Sequence, residues 1–213
     1  MQPSNSTNSP ASSEQPDALI CAGYKWLFGP YSFSFGYFGE FFDDGQPVEE
    51  SWMNRVHSDQ FSGLTTLQTT YRPKAQRYNM GESSDFIHAA ILQDALDQLL
   101  RWGVGRVREY ALTLGGELVA GLAELTRLGG DRACCRILAE SCRSAHLIAV
   151  QLPEAWVTEA PLVVEALRSK NVFLSLRGQV LRISLSVFNS SDDIRALLEE
   201  LSRLLLPSSA AEI

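Results

Sequence analysis

Hydrophobic residues in the first part of the chain follow two short strand-like patterns. Residues 18–23 (ALICAG) form an apolar run typical of a buried strand, and residues 31–38 (YSFSFGYF) alternate aromatic and small side chains, as a second strand does. Gly29 and Pro30 predict a turn between them. Residues 39–85 show no period and contain Gly, Pro, Asp and Ser throughout. This predicts a long irregular segment, which either carries function or contains structure that the pattern does not reveal.

A helical pattern begins near Phe86. Apolar side chains then recur at every third or fourth position and predict one buried helix face, made of Ile87, Ala90, Ile91, Ala95, Leu99 and Trp102. A second helix is predicted over 107–128, where Gly129 and Gly130 end it. The pattern also indicates a weaker helix over 131–142.

The remaining residues predict a small α+β domain. Ser190 or Ser191 is the expected N-cap of its closing helix, and Asp192 and Asp193 suit the positive end of that helix. The predicted elements are, in chain order, a strand (146–152), a helix (162–169), two strands joined around Gly178 (172–177 and 179–186) and a helix (190–206).

The first two strands differ from this block because they resemble the end of a sheet whose earlier strands are absent. Two strands cannot make an independently stable large domain. The organisation of the chain therefore predicts a truncated protein.

Composition narrows the classes of protein that remain. The chain has 213 residues, of which 45% are hydrophobic and 20% charged, a globular composition. Its net charge of −7 and lack of a Lys/Arg run argue against nucleic acid or an anionic membrane as a partner. No apolar stretch approaches the ~18 residues of a membrane span. The four cysteines form no CxxC pair and no Cys/His set, so neither a disulfide framework nor a metal site is expected.

The ends of the chain carry no predicted structure. Residues 1–16 are rich in Ser, Asn, Pro and Gln, without a basic or an apolar region, so we expect a disordered start and not a signal peptide. Residues 207–213 are expected to be a tail. The cytoplasm is then the default location.

Lys25 is the sharpest chemical feature, because it follows the first strand directly within AGYKWLFGP (22–30). Aromatic and aliphatic neighbours on both sides predict partial desolvation. Desolvation disfavours the ammonium form and makes the amine a better nucleophile, which suits Schiff-base formation with an aldehyde cofactor. The alternative is a surface lysine whose stem lies on apolar neighbours.

Four segments of the chain resemble a known family. Residues 16–38 (PDALICAGYKWLFGPYSFSFGYF) are similar to the cofactor-lysine segment of class V aminotransferases, fold type I enzymes that use pyridoxal 5′-phosphate (PLP) and include cysteine desulfurases. Three further segments match family segments in the same order: EESWMNR (49–55), RYNMGESSDF (77–86) and SLRGQVLRISLSVFNSSDDI (175–194). The resemblance covers roughly residues 16–206, and only the carboxyl-terminal part of the family.

The resemblance implies an α/β fold in two parts. Residues 17–105 would be the end of the PLP-binding large-domain sheet with its cofactor lysine. Residues 106–206 would be a linking helix and a small α+β carboxyl-terminal domain.

The same resemblance implies a set of site residues. Lys25 would link the cofactor, and Arg182 would hold the substrate α-carboxylate, with Arg177 a weaker candidate for the same pocket. Without the motif, Arg182 is an arginine that alternates outward from a strand. Tyr24 is either a donor to the cofactor phosphate or an aromatic core residue. The backbone N–H of Gly81 would approach phosphate.

Some positions near Gly81 have a different expected role. Glu82 would repel a phosphate, so it is expected to orient Arg77 or to cap the Phe86 helix, a place that Ser83 or Ser84 would fill equally well.

The sequence departs from the family pattern in two ways. Ser32 and Ser34 stand where many relatives have glycine. More seriously, the phosphate-cradling loop, the ring that stacks on the pyridine and the aspartate that pairs with its nitrogen would precede Lys25, and only the disordered start lies there. Asp17 enters the first strand and is not that aspartate.

The implied function is PLP-dependent aminotransfer on an amino acid through a Lys25 Schiff base, by a partial chain. Desulfurases of the family need a cysteine on the loop before Arg182, and residues 170–182 contain none, although an epimerase- or lyase-like reaction stays open. The other hypothesis is an inactive fragment or split subunit that only packs against a partner. A homodimer is implied by resemblance, and a complementary chain by the missing half of the site.

Overall fold

The computed structural model of the protein describes residues 15–82 and 84–206. Most of the predicted disordered start, the predicted tail and Ser83 lie outside the described residues. The chain divides into two compact units, Met1–Arg101 and Trp102–Ile213, and each is described here by itself.

The first unit contains a two-stranded antiparallel sheet. Strands β1 (Ala18–Ala22) and β2 (Ser34–Phe38) pair with Ala18 opposite Phe38 and Ala22 opposite Ser34. Both predicted strands are confirmed, but the second one begins three residues later than predicted. The cause is Ser32, whose φ of 63° lies in the left-handed region and turns the chain before β2 begins.

Both faces of this sheet are open among the residues that the structure describes. Leu19 and Ile20 are neighbours in β1 and therefore point to opposite faces, yet they are 49% and 69% exposed. Phe35 and Tyr37 in β2 are exposed as well. The pair of strands thus carries an apolar surface that the described residues leave uncovered.

Residues 39–85 contain no long helix or strand, as predicted. Short 3₁₀ turns punctuate the segment, and buried polar side chains tie it together. Asn54, which is 1% exposed, donates from Nδ2 to the carbonyl oxygen of Asn79 at 2.5 Å. Arg77 is buried and donates to the carbonyl oxygens of Arg72 and Gly45 at 3.1 and 2.9 Å. Because these donors are satisfied by backbone oxygens, the segment holds one conformation without regular structure.

Helix α1 (Phe86–Trp102) begins where the pattern predicts. Its N-cap is Asp85, whose carboxylate accepts the backbone N–H of His88 at 3.0 Å and also contacts the His88 ring. This interaction holds the pKa of the Asp85 carboxyl below its usual range. The predicted caps at Glu82 and Ser84 are wrong, because Asp85, directly before the helix, accepts a hydrogen bond from an N–H group of the first turn.

The predicted buried face of α1 is largely wrong. Leu92 and Leu99 are the buried residues of the helix, whereas Ile87 and Ile91 are 74% and 46% exposed. The described part of the first unit covers the side of the helix that carries Leu92. The side that periodicity alone assigns to the core has no cover there.

The second unit is a four-stranded antiparallel sheet with helices on one face. The strand order is β3-β4-β6-β5. Its core contains leucine and valine side chains from both layers, and the most buried are Leu118, Val150, Leu167, Leu181, Leu201 and Leu205. The elements are α2 (Val104–Gly129), β3 (Arg136–Ile137), β4 (Leu147–Gln151), α3 (Ala160–Ser169), β5 (Ser175–Arg177), β6 (Val180–Ser184) and α4 (Ser191–Leu205).

The predicted succession of strands and helices after residue 146 is confirmed, with a shorter β5. The weak helix predicted over 131–142 is wrong, because this segment forms two 3₁₀ turns and strand β3. Gly130, with a φ of 56°, ends α2, and residues 136 and 137 then pair with Gln151 and Val150 of β4. Pairing with an existing strand here outweighs local helical preference.

The closing helix starts as predicted. Ser190 is its N-cap, and its backbone N–H donates to Asp193 Oδ2 at 2.9 Å. Of the two serines expected to fill this place, Ser190 is therefore the one that does.

We predict that Leu118→Ala lowers the free energy of unfolding of the second unit by about 3 kcal/mol, because Leu118 is fully buried against the sheet. Urea denaturation followed by circular dichroism measures this loss. Leu112→Ala on the same helix, at a 43% exposed position, is the control and should cost less than about 1 kcal/mol. Equal losses in the two variants would contradict the packing described here.

Candidate functional site

Two close backbone approaches shape the turn that carries Lys25. The N–H of Gly23 donates to the carbonyl oxygen of Phe33 at 3.0 Å, and the N–H of Gly29 donates to that of Gly23 at 2.9 Å. A Cβ atom on Gly23 would lie 2.5 Å from the Phe33 carbonyl oxygen, and one on Gly29 would lie 2.9 Å from the Gly23 carbonyl oxygen. Glycine is therefore required at both ends of the turn, which closes directly after β1.

The side chain of Lys25 is exposed on this turn. Its Nζ atom lies 5.2 Å from the centroid of the Tyr24 ring, and no carboxylate of the described residues forms an ion pair with it. The predicted desolvation is thus wrong for this chain, because the open faces around the hairpin leave the lysine in water. The same exposure leaves its amine accessible to a small molecule.

Tyr24 lies beside the lysine and stacks on Tyr31, with ring centroids 4.6 Å apart and an angle of 20° between the planes. Tyr24 is 38% exposed, so the alternative of a core aromatic residue does not hold within this chain. In the described part of the chain its hydroxyl has no hydrogen-bond partner. Its role as a donor to a phosphate stays a prediction.

Gly81 has a carboxylate where the resemblance places a phosphate. Its N–H donates to Glu49 Oε1 at 2.6 Å, and the N–H of Glu82 lies 3.3 Å from Met53 Sδ. Arg77 is held by backbone carbonyl oxygens, so the expected contact with Glu82 is not made. A phosphate at this place would have to displace Glu49 from the Gly81 N–H.

Sequence reasoning missed the role of Glu49. Residues 49–55 and 77–86, two of the four family-like segments, contact each other through the bond from Gly81 to Glu49 and the bond from Asn54 to Asn79. The acidic and amide side chains at these spacings carry no signal for that pairing in the sequence.

Arg182 lies in β6, opposite Ala149 of β4 and Ser175 of β5. Its neighbours Leu181 and Ile183 are 0% and 5% exposed and point into the core, so Arg182 projects from the other face of the sheet. It is half-buried, and no carboxylate of the described residues pairs with it. The guanidinium is therefore outward-pointing, as the alternative interpretation holds, and it is also available to an anion.

Arg177 lies at the end of β5, opposite Val180 of β6. Residues that face each other across antiparallel strands share a face, so Arg177 and Arg182 project from the same side of the sheet. The Arg177 guanidinium is exposed and donates to the carbonyl oxygen of Leu176 at 3.1 Å. The second unit thus brings the two predicted arginines together, whereas Lys25, Tyr24 and Gly81 belong to the first unit.

The cysteines of the second unit do not lie in a helix, contrary to the prediction for residues 131–142. Burial, and to a smaller extent the neighbouring Cys134, raises the pKa of the Cys135 thiol to about 11. Cys142 is exposed at the end of a 3₁₀ turn. At neutral pH Cys135 is therefore a thiol and not a nucleophilic thiolate.

Residues 15–82 and 84–206 contain no group of three or more His, Cys, Asp or Glu side chains that could hold a metal ion. They also contain no helix that combines the length and the apolar composition needed to cross a bilayer.

The fold is that of known PLP enzymes. A cysteine desulfurase from Thermococcus onnurineus NA1 matches 89% of this chain with a TM-score of 0.65 and 18% identity. A variant of the C-S lyase C-DES, with lysine replaced by alanine and glycine covalently linked to its PLP cofactor, matches 85% with a TM-score of 0.65 and 20% identity. An alanine–glyoxylate aminotransferase from Nostoc sp. matches 89% with a TM-score of 0.54 and 14% identity.

The chain spans about half the length of these proteins, namely 47%, 44% and 48% of each in turn. No family model and no curated protein matches the chain by sequence. The predicted fold class is thereby confirmed: the chain has the fold of part of the fold type I PLP enzymes.

We predict that Ser32→Gly stabilises the Lys25 turn by about 1 kcal/mol, because a serine at positive φ is strained and glycine is not. Amide exchange at Gly23, whose N–H closes the turn, should then slow about fivefold. Ser34→Gly is the matched control. It lies in extended β2, so glycine there should speed the exchange. Equal effects in both variants would exclude strain at Ser32.

A second prediction concerns thiol reactivity. Iodoacetamide should modify Cys142 at neutral pH and leave Cys135 unmodified in the folded protein, because the Cys135 pKa of about 11 keeps its thiol protonated. As pH rises towards that pKa, labelling of Cys135 should increase. Peptide mass spectrometry measures both sites, and rapid labelling of Cys135 at pH 7 would show that the thiol is not buried.

Proposed function

We propose that the chain is the lysine-bearing part of a PLP-dependent enzyme that transfers the amino group of an amino acid. The observation that carries the proposal is the position of Lys25 on a glycine-shaped turn directly after β1. It lies in a fold that known PLP enzymes share. The amine is accessible and has no acidic partner among the described residues.

The residues around Lys25 fit the cofactor in part. Lys25 would join the cofactor aldehyde through its ε-amine, and the Tyr24 hydroxyl is a donor of the right kind for a phosphate oxygen. Gly81 fits poorly, since Glu49 already accepts its N–H and a second anion would be repelled. When bound, PLP supplies an electron sink that stabilises negative charge at the substrate Cα.

The chain's own groups would perform three tasks. Lys25, once its amine is free, would take the proton from Cα and return it on the cofactor side, which distinguishes aminotransfer from simple binding. Arg182 would bind the substrate carboxylate through two parallel N–H bonds and so orient Cα. The turn at Gly23 and Gly29 would hold the lysine in place during both transfers.

The cysteines bear on the choice of reaction. Two of the solved structures described above are a desulfurase and a C-S lyase, yet Cys135 is half-buried and protonated, and residues 143–182 contain no cysteine. Aminotransfer therefore fits the described residues better than desulfuration does. An epimerase- or lyase-like outcome is the alternative, because it needs the same Lys25 and no cysteine.

We also propose that a partner polypeptide covers the β1–β2 hairpin. The apolar side chains on both faces of the β1–β2 hairpin, Leu19 and Ile20 among them, are open to water. A complementary chain that pairs with the hairpin and covers both faces would bury them and desolvate Lys25. The second candidate function follows from the same exposure: a chain that binds such a partner and has no catalysis of its own. A homodimer is the other possible arrangement.

We predict that PLP followed by borohydride attaches a phosphopyridoxyl group to Lys25 in preference to the two other lysines of the chain, Lys74 and Lys170. Peptide mass spectrometry gives the occupancy of each. Lys25→Arg should abolish the preferred label, whereas Lys74→Arg and Lys170→Arg should leave it unchanged.

The occupancy of the label on Lys25, compared with that on Lys74 and Lys170, decides whether Lys25 is special. Equal labelling of the three lysines would mean that Lys25 reacts only as any exposed lysine does, and the catalytic proposal would fall. Sedimentation analysis of the same sample separates a monomer that lacks its partner from a homodimer.

A further inference from the structure

The open face of the sheet in the second unit has an unusual charge pattern. Strands β3, β4, β5 and β6 contain three charged residues, and all three are arginines: Arg136, Arg177 and Arg182. None of the four strands contains an aspartate or a glutamate, although the whole chain has 25 acidic and 18 basic residues. An acidic protein thus presents one positively charged sheet face.

The strand register puts these three arginines on the same side. One row of residues crosses all four strands. In it, Arg136 of β3 lies opposite Gln151 of β4, and Gln151 lies opposite Val180 of β6. Val180 in turn lies opposite Arg177 of β5. Arg182 lies in the next row of the same face, two residues along β6 from Val180. The core is on the other side, with Leu181 and Ile183. The open face carries no helix of the second unit.

Within the described residues, the three arginines also differ from the helix arginines in forming no ion pair. Arg127, Arg195 and Arg203 on the helices each pair with an acid three residues away. Within the described residues, Arg136, Arg177 and Arg182 form no such pair. Cations without a counter-ion on a shared surface are a binding site for anions.

The spacing of Arg177 and Arg182 suits two anionic groups of one small molecule. They are diagonal neighbours on adjacent strands, a relation that separates Cα atoms by roughly 7–8 Å. Both are long side chains with planar forks that match a carboxylate. Arg136 is at the other edge of the sheet, separated from Arg177 by two strands.

We propose that this face selects an amino acid with a second acidic group, with Arg182 on the α-carboxylate and Arg177 on the acidic side chain. The assignment of Arg182 rests on the proposed function. The recognition of the second acid by Arg177 is the new element. Ser175, opposite Arg182 on the same face, adds a hydroxyl donor and no negative charge.

The test is a titration of the full chain with L-glutamate and with L-glutamine, which has the same shape without the second charge. Nitrogen-15 NMR of the arginine Nε–H groups reports binding. L-glutamate should bind at least about tenfold more tightly, since a hydrogen bond between charged groups is the stronger kind. Arg177→Ala should remove this preference while leaving the weaker binding of L-glutamine unchanged.

Arg136→Ala is the matched control, since it removes the same charge from the same face at the far edge. It should leave the preference for L-glutamate within about twofold of that of the unchanged protein. An equal loss in Arg136→Ala and Arg177→Ala would show diffuse attraction and overturn the proposal. Equal affinities for the two amino acids in the unchanged protein would overturn it as well. The thermal unfolding midpoint of each variant checks that the sheet remains folded.

The outcome of this titration is independent of the outcome of the Lys25 labelling. Labelling of Lys25 without a preference for L-glutamate would support the PLP proposal and overturn the proposed recognition of a second acidic group by Arg177. A preference for L-glutamate that depends on Arg177, without labelling of Lys25, would keep the anion site and remove the catalytic role.

Discussion

A β-sheet is stable only when its apolar residues are removed from water, and the two units of this protein meet that requirement differently. In the second unit, helices α2, α3 and α4 cover one face of four strands, and Val150, Leu181 and Leu201 are completely buried. In the first unit, β1 and β2 pair with each other and expose apolar side chains on both faces. Burial, not hydrogen bonding, is therefore what the lysine-bearing unit lacks.

The same constraint governs the chemistry of Lys25. The turn that presents it is well determined, because Gly23 and Gly29 allow backbone contacts that a Cβ atom would prevent. The environment of its amine is not well determined, because the residues that would exclude water are absent from the described part of the first unit. Position is thus built into the chain, whereas the described residues of the first unit do not desolvate the amine.

The sheet of the second unit separates buried apolar residues from charged ones by its two faces. Alternation along β6 sends Leu181 and Ile183 into the core and Arg182 to the open face. A substitution on the open face changes charge without removing buried apolar area. The arginines there are therefore free to specify a substrate without a large effect on folding.

Much of this arrangement follows from local pattern. Periodicity predicts β1, β2, α1, α2 and the βαββα block, since each has a clear period or a glycine stop. It fails at residues 136 and 137, which become a strand only through pairing with β4. It also fails at Ile87 and Ile91, whose apolar side the described residues leave uncovered. It also misses Glu49, because its bond to Gly81 joins residues 32 positions apart. Each failure lies where a contact distant in sequence decides the outcome.

Hydrogen exchange measured at individual amides shows whether the described residues leave the lysine-bearing unit uncovered. We expect the ladder amides of β1 and β2 to exchange orders of magnitude faster than those of β4 and β6, which lie over a closed core. Protection of the β1 and β2 amides equal to that of β4 and β6 would instead mean that the first unit is complete by itself and needs no further cover.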